Sequence, residues 1–160
     1  MPLTKEESAR LDAFRDASMA CEAIYNTLAK ACGLSGPEYW SLVLIHEGVA
    51  TQGEISRQLC LNRQTLNSAF KLLIKKGLIR LEPLPQDQRS KRAILTQAGE
   101  AFVREHIVRM EDLEAQAWQA LSPEEQADLT RLTLRFNAAM TAALEHDKMD
   151  NDSSEDPSSQ

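Results

Sequence analysis

The amino-acid sequence predicts a mainly α-helical protein with one small β-hairpin. Over most of the 160 residues, apolar side chains recur at intervals of three and four, which is the spacing of helices with one buried face. Leu and Ala, both good helix formers, dominate the composition. Only two short β-prone runs break the helical spacing, and they flank a segment of prolines and charges. A chain of this length corresponds to about one domain and can bury its own core.

A long first helix is predicted over residues 6–31. Its apolar or small side chains form one stripe, at Phe14, Ala17, Cys21, Ile24, Leu28 and Ala31. Gly33 then ends the helix. The stripe would bury Cys21, which predicts a structural thiol rather than a reactive one.

Three shorter helices follow, and each begins with a capping signature. The caps are Ser35 with Glu38, Thr51 with Glu54, and Asn62. Gly48 ends the first of these helices and Gly77 ends the third. Cys60 lies in the turn between the second and third, where we expect it to be part of the core.

The hairpin is predicted from β-prone residues 78–82 and 92–96, joined by a basic segment that contains Pro83 and Pro85. Two long helices come next, one from Gln97 to about Ala120 and one that starts at the Ser122 cap. Residues 147–160 are polar and acidic, which predicts disorder. The apolar stripes of the terminal helices lack a partner in the compact middle of the chain, so we expect a homodimer that buries them.

The charge distribution indicates a polyanionic partner. The whole chain carries a net charge of −6, yet residues 51–96 hold nine Lys or Arg against three acidic residues, a net +6. No apolar run approaches the length of a membrane helix, and three scattered cysteines are typical of reduced thiols. These features predict a cytoplasmic protein without a membrane partner.

Residues 51–77 have the pattern of a helix-turn-helix, in which the second helix reads DNA. Leu66, Phe70 and Leu73 would hold that helix against the core. The opposite face carries side chains suited to base edges, namely Gln64, Thr65, Asn67, Ser68 and Lys71. Arg63 and Lys75 are better placed for phosphates.

The basic hairpin after this helix is interpreted as a wing. Arg89 and Lys91 at its tip would lie over the neighbouring DNA backbone, and Arg89 would enter an adjacent minor groove. Asp87 is interpreted as a local partner of Arg92 or Arg89 that holds the tip in one shape. Asp87 and Arg92 are included with Arg89 and Lys91 in the predicted DNA-binding set.

The sequence resembles the MarR family of bacterial transcriptional regulators. The resemblance rests on "EISRQLCLNRQTLNSAFKLLIKKGLIR" and "DQRSKRAILTQAGEAF". The family's wing pattern D-x-R-(D/S)-x-R is met by Asp87, Arg89, Ser90 and Arg92, and its L-T-x-x-G by Leu95, Thr96 and Gly99. The resemblance implies a homodimeric winged helix-turn-helix protein that binds palindromic operators of double-stranded DNA, usually as a repressor, and loses affinity when a small aromatic or lipophilic effector binds. It divides the chain into a dimerisation helix (1–34), a DNA-binding domain (35–96), dimerisation helices (97–146) and a tail (147–160).

Two groups of residues are candidates for receiving a regulating signal. Tyr39, Trp40 and His46 combine aromatic rings with polar edges near the predicted junction of dimer and DNA-binding regions, and they are the candidate effector site. Cys32, at a helix end, is the candidate for thiol-based redox control.

Other classes of function find little support. His106 is followed by Met110 rather than a second ligand one turn on, so no metal site is predicted. No phosphate loop or nucleophile motif is present in the sequence, so neither an enzyme nor a cofactor is expected. A winged helix that docks a protein partner is the alternative to DNA binding.

Overall fold

The computed structural model describes residues 2–49, 51–84 and 87–154, with side chains described for 2–49, 51–83 and 91–147. Its elements follow in this order: α1 (Lys5–Ala31), α2 (Gly36–His46), α3 (Gln52–Gln58), α4 (Arg63–Lys75), β1 (Ile79–Leu84), β2 (Asp87–Leu95), α5 (Gln97–Phe102), a π-helical turn (Val103–Ile107), α6 (Val108–Gln119) and α7 (Pro123–Ser154). The chain divides into two compact units, Met1–Glu111 and Asp112–Gln160, and the boundary falls within α6. The predicted fold class, mainly helical with one hairpin, is confirmed.

The predicted capping signatures set the starts of the helices. Capping boxes form at Ser35 with Glu38 and at Thr51 with Glu54, and the Asn62 side chain accepts a hydrogen bond from the Thr65 amide. Each cap satisfies amides that have no partner inside the helix. Gly77 has a φ of 72°, a conformation in which a Cβ is strained, and it ends α4 as predicted.

The hairpin is longer than the sequence predicts. Strands β1 and β2 pair antiparallel from Ile79 opposite Leu95 to Pro83 opposite Lys91, and the register shifts between Pro83 and Leu84. The predicted strands stopped at residue 82 and began at residue 92. The difference arises because backbone pairing continues through charged residues, which carry no apolar alternation for sequence analysis to detect.

One core lies between the helix-turn-helix and the helices on either side. Its most buried large side chains come from α2, α3, α4, β1 and the π-helical turn: Tyr39, Leu42, Ile55, Leu66, Phe70, Leu73, Ile79, Val103 and Ile107. The predicted anchors of α4 are thus confirmed as core residues. They fix which face of α4 is left for solvent.

The joint between β2 and α5 depends on Thr96 and Gly99. The Thr96 hydroxyl donates to the Gly77 carbonyl at 2.5 Å and accepts from the Gly99 amide at 3.0 Å. A Cβ on Gly99 would lie 1.9 Å from the Leu78 carbonyl oxygen. Glycine is therefore required here by close backbone approach, which gives the L-T-x-x-G motif a structural reason.

The C-terminal helix extends further than predicted. Helix α7 runs to Ser154, eight residues into the segment 147–160 that the composition predicts to be disordered. Once a helix is nucleated, each added residue contributes a backbone hydrogen bond, so the helix can outlast its apolar stripe. The prediction for residues 155–160 lies outside the described residues.

Both long terminal helices expose apolar side chains. On α1 these include Phe14, Met19 and Ile24. On α7 they include Leu129, Leu132, Leu134, Phe136, Met140 and Leu144. Neither these helices nor any other in the described part of the chain is long and apolar enough to span a membrane.

Candidate nucleic-acid interface

Helices α3 and α4 form a helix-turn-helix held by local hydrogen bonds. The Ser56 hydroxyl donates to the Leu61 carbonyl at 2.7 Å, across the turn. Cys60 adopts a φ of 50° in that turn and is exposed. The prediction that Cys60 belongs to the core is therefore wrong, and a left-handed turn position explains why its side chain leaves the core. Ile55 from α3 and Leu66 from α4 fasten the pair to the core.

The outward face of α4 carries most of the predicted DNA-reading side chains. The exposed members of the predicted set are Arg63, Gln64, Asn67, Ser68, Lys71 and Lys75, whereas Thr65 is half-buried. Ser68 donates its hydroxyl hydrogen to the Gln64 carbonyl at 3.0 Å. Asn67 accepts a hydrogen bond from the Gln52 side chain at 3.2 Å. A row of amides, hydroxyls and cations on one exposed helical face can contact both base edges and phosphates.

The base of the hairpin carries an ordered charge cluster. Glu82 forms ion pairs with Arg80 at 2.9 Å and with Arg92 at 3.2 Å. The hydrogen bond from Arg80, and then that from Arg92, lower the pKa of Glu82 below its usual value. Thr51 pairs with Arg92 through an isolated β-bridge, which ties the hairpin to the start of α3.

The described partner of Arg92 is Glu82 on the facing strand. The sequence also predicts Asp87 as a local partner of Arg92 or Arg89. Lys91 is exposed next to Arg92. The side chains of Asp87 and Arg89 lie outside those described, so their predicted roles stay predictions.

A link between α4 and the α1–α2 corner was not predicted. Lys76 donates to the Glu38 carboxylate at 2.6 Å and to the Gly33 carbonyl at 2.9 Å. Glu38 is only 2 % exposed. Burial raises the pKa of Glu38, but hydrogen bonds from Lys76 and Ser35 outweigh it and hold that pKa below its usual value. This link fixes the C-terminal end of α4 relative to α2.

The three candidate effector residues lie in different surroundings. Tyr39 is 1 % exposed and belongs to the core. Trp40 is half-buried, with its ring centroid 5.0 Å from that of Tyr25, and His46 is exposed at the end of α2. An open cavity of about 270 Å³ lies elsewhere, between the end of α2, β2 and α5, and is lined by Ile45, Gly48, Arg92, Ala93, Ile94, Leu95 and Glu100. The aromatic pattern alone could not distinguish core rings from pocket rings.

The cysteines differ in exposure from the prediction. Cys21 is exposed rather than buried. Cys32 is half-buried and its thiol donates to the Ala29 carbonyl at 3.2 Å. Burial raises the pKa of Cys32, which lowers its reactive thiolate fraction. Among the described residues, no three His, Cys, Asp or Glu side chains converge as a metal-ligand set.

Comparison with known proteins shows which proteins this arrangement resembles. A profile of the MarR family matches residues 32–90. Sco3205 of Streptomyces coelicolor, a MarR family transcriptional regulator solved in complex with DNA, is 26% identical with a TM-score of 0.75, over 87% of this chain and 94% of that one. NMB1585 of Neisseria meningitidis, a MarR family regulator, is 17% identical with a TM-score of 0.75, over 86% and 98%.

A third solved structure is that of BpsR from Bordetella bronchiseptica, whose DNA binding is regulated by 6-hydroxynicotinic acid. It is 19% identical with a TM-score of 0.67, over 86% of this chain and 98% of that one. A comparison with curated proteins found no match. The family match over residues 32–90, which include the helix-turn-helix, together with the shared fold, makes this chain similar to the DNA-binding transcriptional regulators of the MarR family.

Proposed function

We propose that this protein is a homodimeric, sequence-specific repressor that a small aromatic or lipophilic effector releases from a palindromic operator. The observation that carries the proposal is the exposed face of α4. Its amides, hydroxyl and cations lie opposite the buried Leu66, Phe70 and Leu73, next to a basic hairpin. An ordinary solvated helix would carry a mixture of Glu and Lys on that face instead.

The contacts are assigned by the chemistry of each side chain. Gln64, Asn67, Ser68 and Lys71 would meet base edges in the major groove, with half-buried Thr65 beside them. The cations Arg63, Lys75 and Lys91 would neutralise phosphates, and Arg89 would enter the minor groove. Arg92, held by Glu82 and bridged to Thr51, supports the wing from its base. Asp87 would order the tip.

Dimer formation is supported by the exposed apolar side chains of the terminal helices. Six apolar side chains of α7 are 38–63% exposed in the single chain. A second copy of the chain, related by a two-fold axis, would bury these apolar side chains. The two recognition helices of the dimer would then lie about 34–36 Å apart and read half-sites one DNA turn from each other.

Effector release is supported by similarity of fold to BpsR, whose DNA binding responds to an aromatic acid. In this chain, Trp40 and His46 are the accessible members of the candidate effector set, and Tyr39 would act from the core. Cys32 supports the redox alternative poorly because its thiol is half-buried with a raised pKa.

The test is selection of genomic DNA fragments by the purified protein, followed by footprinting. Wild type should protect two half-sites related by a dyad. Arg89→Ala should weaken binding at least about tenfold, and Gln64→Ala should relax preference at one base pair per half-site. Unchanged footprints in both variants would overturn the contact assignment. A screen of aromatic acids against the selected site then tests effector release, and protection that persists with every compound would remove that part of the proposal.

A further inference from the structure

The carboxylate of Glu38 is divided between two partners. Its Oε2 accepts hydrogen bonds from the backbone amide of Ser35 at 2.8 Å and from the Ser35 hydroxyl at 2.7 Å, which completes the capping box of α2. Its Oε1 accepts a hydrogen bond from the ammonium group of Lys76 at 2.6 Å. The capping box therefore orients the carboxylate and leaves its second oxygen for Lys76.

Glu38 differs from the other acids that cap helices in this chain. Glu7, Glu54 and Glu125 occupy the same capping position, but they are exposed, and none of them forms an ion pair with a Lys or Arg among the described residues. Glu38 is only 2 % exposed. A cap does not require a buried carboxylate, and burying a charge is costly unless it is paired. The burial of Glu38 and its bond to Lys76 therefore indicate a role beyond capping.

The ammonium group of Lys76 joins the ends of three helices. Lys76 is the C-cap residue of α4, and Glu38 lies in the first turn of α2. The same ammonium group donates to the carbonyl of Gly33, just after the end of α1, at 2.9 Å. The end of the recognition helix is thus bonded to the corner between α1 and α2.

The last turn of α4 has few other tertiary anchors. Leu73 is its last fully buried side chain, whereas Ile74 is 42% exposed and Lys75 is exposed. Besides Lys76, the described anchor of this turn is the bond from the Thr96 hydroxyl to the Gly77 carbonyl. Strand β1 begins three residues after Lys76. The position of Lys76 therefore affects both the end of α4 and the start of the hairpin.

We infer that Glu38 is a positioning residue for DNA binding, although it is acidic and buried. It acts through Lys76, which it holds in place where the recognition helix ends and the hairpin follows. Lys76 is then a positioning residue as well, in contrast to its neighbour Lys75, which is a proposed phosphate contact. The inference rests on the proposed function, in which α4 lies in the major groove.

The sign of one substitution distinguishes this role from a simple effect of charge. Removing a negative charge near a DNA-binding face normally strengthens the attraction to phosphates. Glu38→Gln should instead weaken operator binding by about tenfold. An amide has a single acceptor oxygen, so Gln can serve the Ser35 amide or Lys76 but not both. In either orientation, the connection from α2 to the end of α4 is weakened.

The experiment is fluorescence anisotropy of the duplex that the wild type selects, with full-length protein and with affinities referred to the active concentration from stoichiometric titration. Glu47→Gln is the matched control. It removes the same charge from the other end of α2, where the Glu47 side chain is exposed and makes no hydrogen bond or ion pair with the described part of the chain. This variant should bind as tightly as wild type or slightly more tightly.

A double-mutant cycle tests whether the two residues act together. Lys76→Met should weaken binding by about tenfold, as Glu38→Gln does. The double variant should also be about tenfold weaker rather than about a hundredfold, because both substitutions remove the same link. Since the Lys76 side chain is 37% exposed, Lys76→Met carries the test if Glu38→Gln does not fold.

Salt dependence separates Lys76 from Lys75. Lys75→Met should make the slope of log affinity against log salt concentration shallower by about 2, because the dimer loses two phosphate contacts. Lys76→Met should leave this slope unchanged, because its ammonium group is bonded to Glu38 and Gly33. Met110→Ala is the control for lost stability, since Met110 is 3% exposed on α6. It should destabilise the protein without changing the DNA affinity of the folded form.

Each outcome decides the inference. Weaker binding by Glu38→Gln and Lys76→Met, non-additive in the double variant and with a wild-type slope, supports it. Wild-type or tighter binding by Glu38→Gln overturns it, and so does a shallower slope in Lys76→Met, which would make Lys76 a phosphate contact. Equal weakening in Met110→Ala also overturns it, because affinity would then follow stability alone. Absence of binding by the wild type to any duplex at low salt would instead refute the proposed function itself. Circular dichroism verifies that each variant is folded.

Discussion

Replacing Lys76 by Met should loosen the recognition helix at its C-terminal end. Met keeps most of the aliphatic stem of Lys but removes the ammonium group that joins α4 to the α1–α2 corner. The neighbouring Lys75 is the matched control, because it lies at the same helix end and carries the same charge. Lys75→Met removes a charge without removing the described bonds to Glu38 and Gly33.

The magnitude follows from the two bonds that are lost. The bond to the 2 % exposed Glu38 is charge-assisted and falls in a class that contributes about 1.5–3 kcal/mol. The bond to the Gly33 carbonyl belongs to the range of about 0.5–1.5 kcal/mol. Because the Lys76 side chain is 37% exposed, solvent screening places both at the low end of their ranges. Lys76→Met should therefore cost about 2 kcal/mol of unfolding free energy.

The assay is urea unfolding at one fixed protomer concentration, since dimerisation would otherwise shift the apparent stability. Lys75→Met should stay within about 0.5 kcal/mol of wild type. A double-mutant cycle of Lys76→Met with Glu38→Gln should give a coupling energy above about 1 kcal/mol. A coupling below about 0.5 kcal/mol, the level of an exposed pair such as Asp128 with Arg131, would refute the structural role of this link.

Three further predictions test separate features of the structure. Because the folded pKa of Glu38 is lowered, its contribution is present above its usual pKa of about 4.3 and is lost as the pH falls through the lowered value. Glu38→Gln should therefore be less stable than wild type at pH 7, and the difference should shrink in urea titrations as the pH is lowered below about 4.3. A difference that stays constant on acidification would contradict this. Gly99→Ala should lower the unfolding free energy by more than about 2 kcal/mol in the same urea titration, because its Cβ would lie 1.9 Å from the Leu78 carbonyl oxygen. Wild-type stability of this variant would show that the two backbones are not in close approach. Exposed Cys60 should react with an aromatic disulfide faster than half-buried Cys32. Reaction rates of Cys60→Ser and Cys32→Ser, each compared with wild type, measure the two thiols. Faster reaction of Cys32 would contradict the described burial.

Local signals in the sequence were sufficient for the elements of the DNA-binding module. Asn62 and the pair of Thr51 with Glu54 mark helix starts because a cap involves residues only three positions apart. Leu66 and Phe70 identify the buried face of α4 through helical spacing, and that assigns the opposite face as well.

Contacts between residues that are distant in the sequence could not be predicted from local patterns. In the sequence, Lys76 is one of several cations in a basic segment. Its hydrogen bond to Glu38 joins residues 38 positions apart, so helical spacing does not indicate it. Nothing in the residues next to Gln52 in the sequence indicates Asn67 as its partner. Cys60 was misassigned because its left-handed φ of 50° is not apparent in the residues around it.

The full length of the two hairpin strands could not be predicted either, because their outer parts are charged. The pairing of Pro83 with Lys91 extends the hairpin beyond the predicted strands, through residues that show no apolar alternation. Cross-strand ion pairs can be recognised only when the register is known, and register depends on the tertiary structure.

The salt dependence of operator binding tests the central claim most directly. Three proposed phosphate contacts per protomer, Arg63, Lys75 and Lys91, amount to about six in the dimer, which predicts a slope of about −5 for log affinity against log salt concentration. Fluorescence anisotropy of the selected duplex, titrated at several salt concentrations, measures that slope. A slope near −5 agrees with two copies that each present a recognition helix and a wing to the duplex. A slope shallower than about −1, or no saturable binding at low salt, would contradict it.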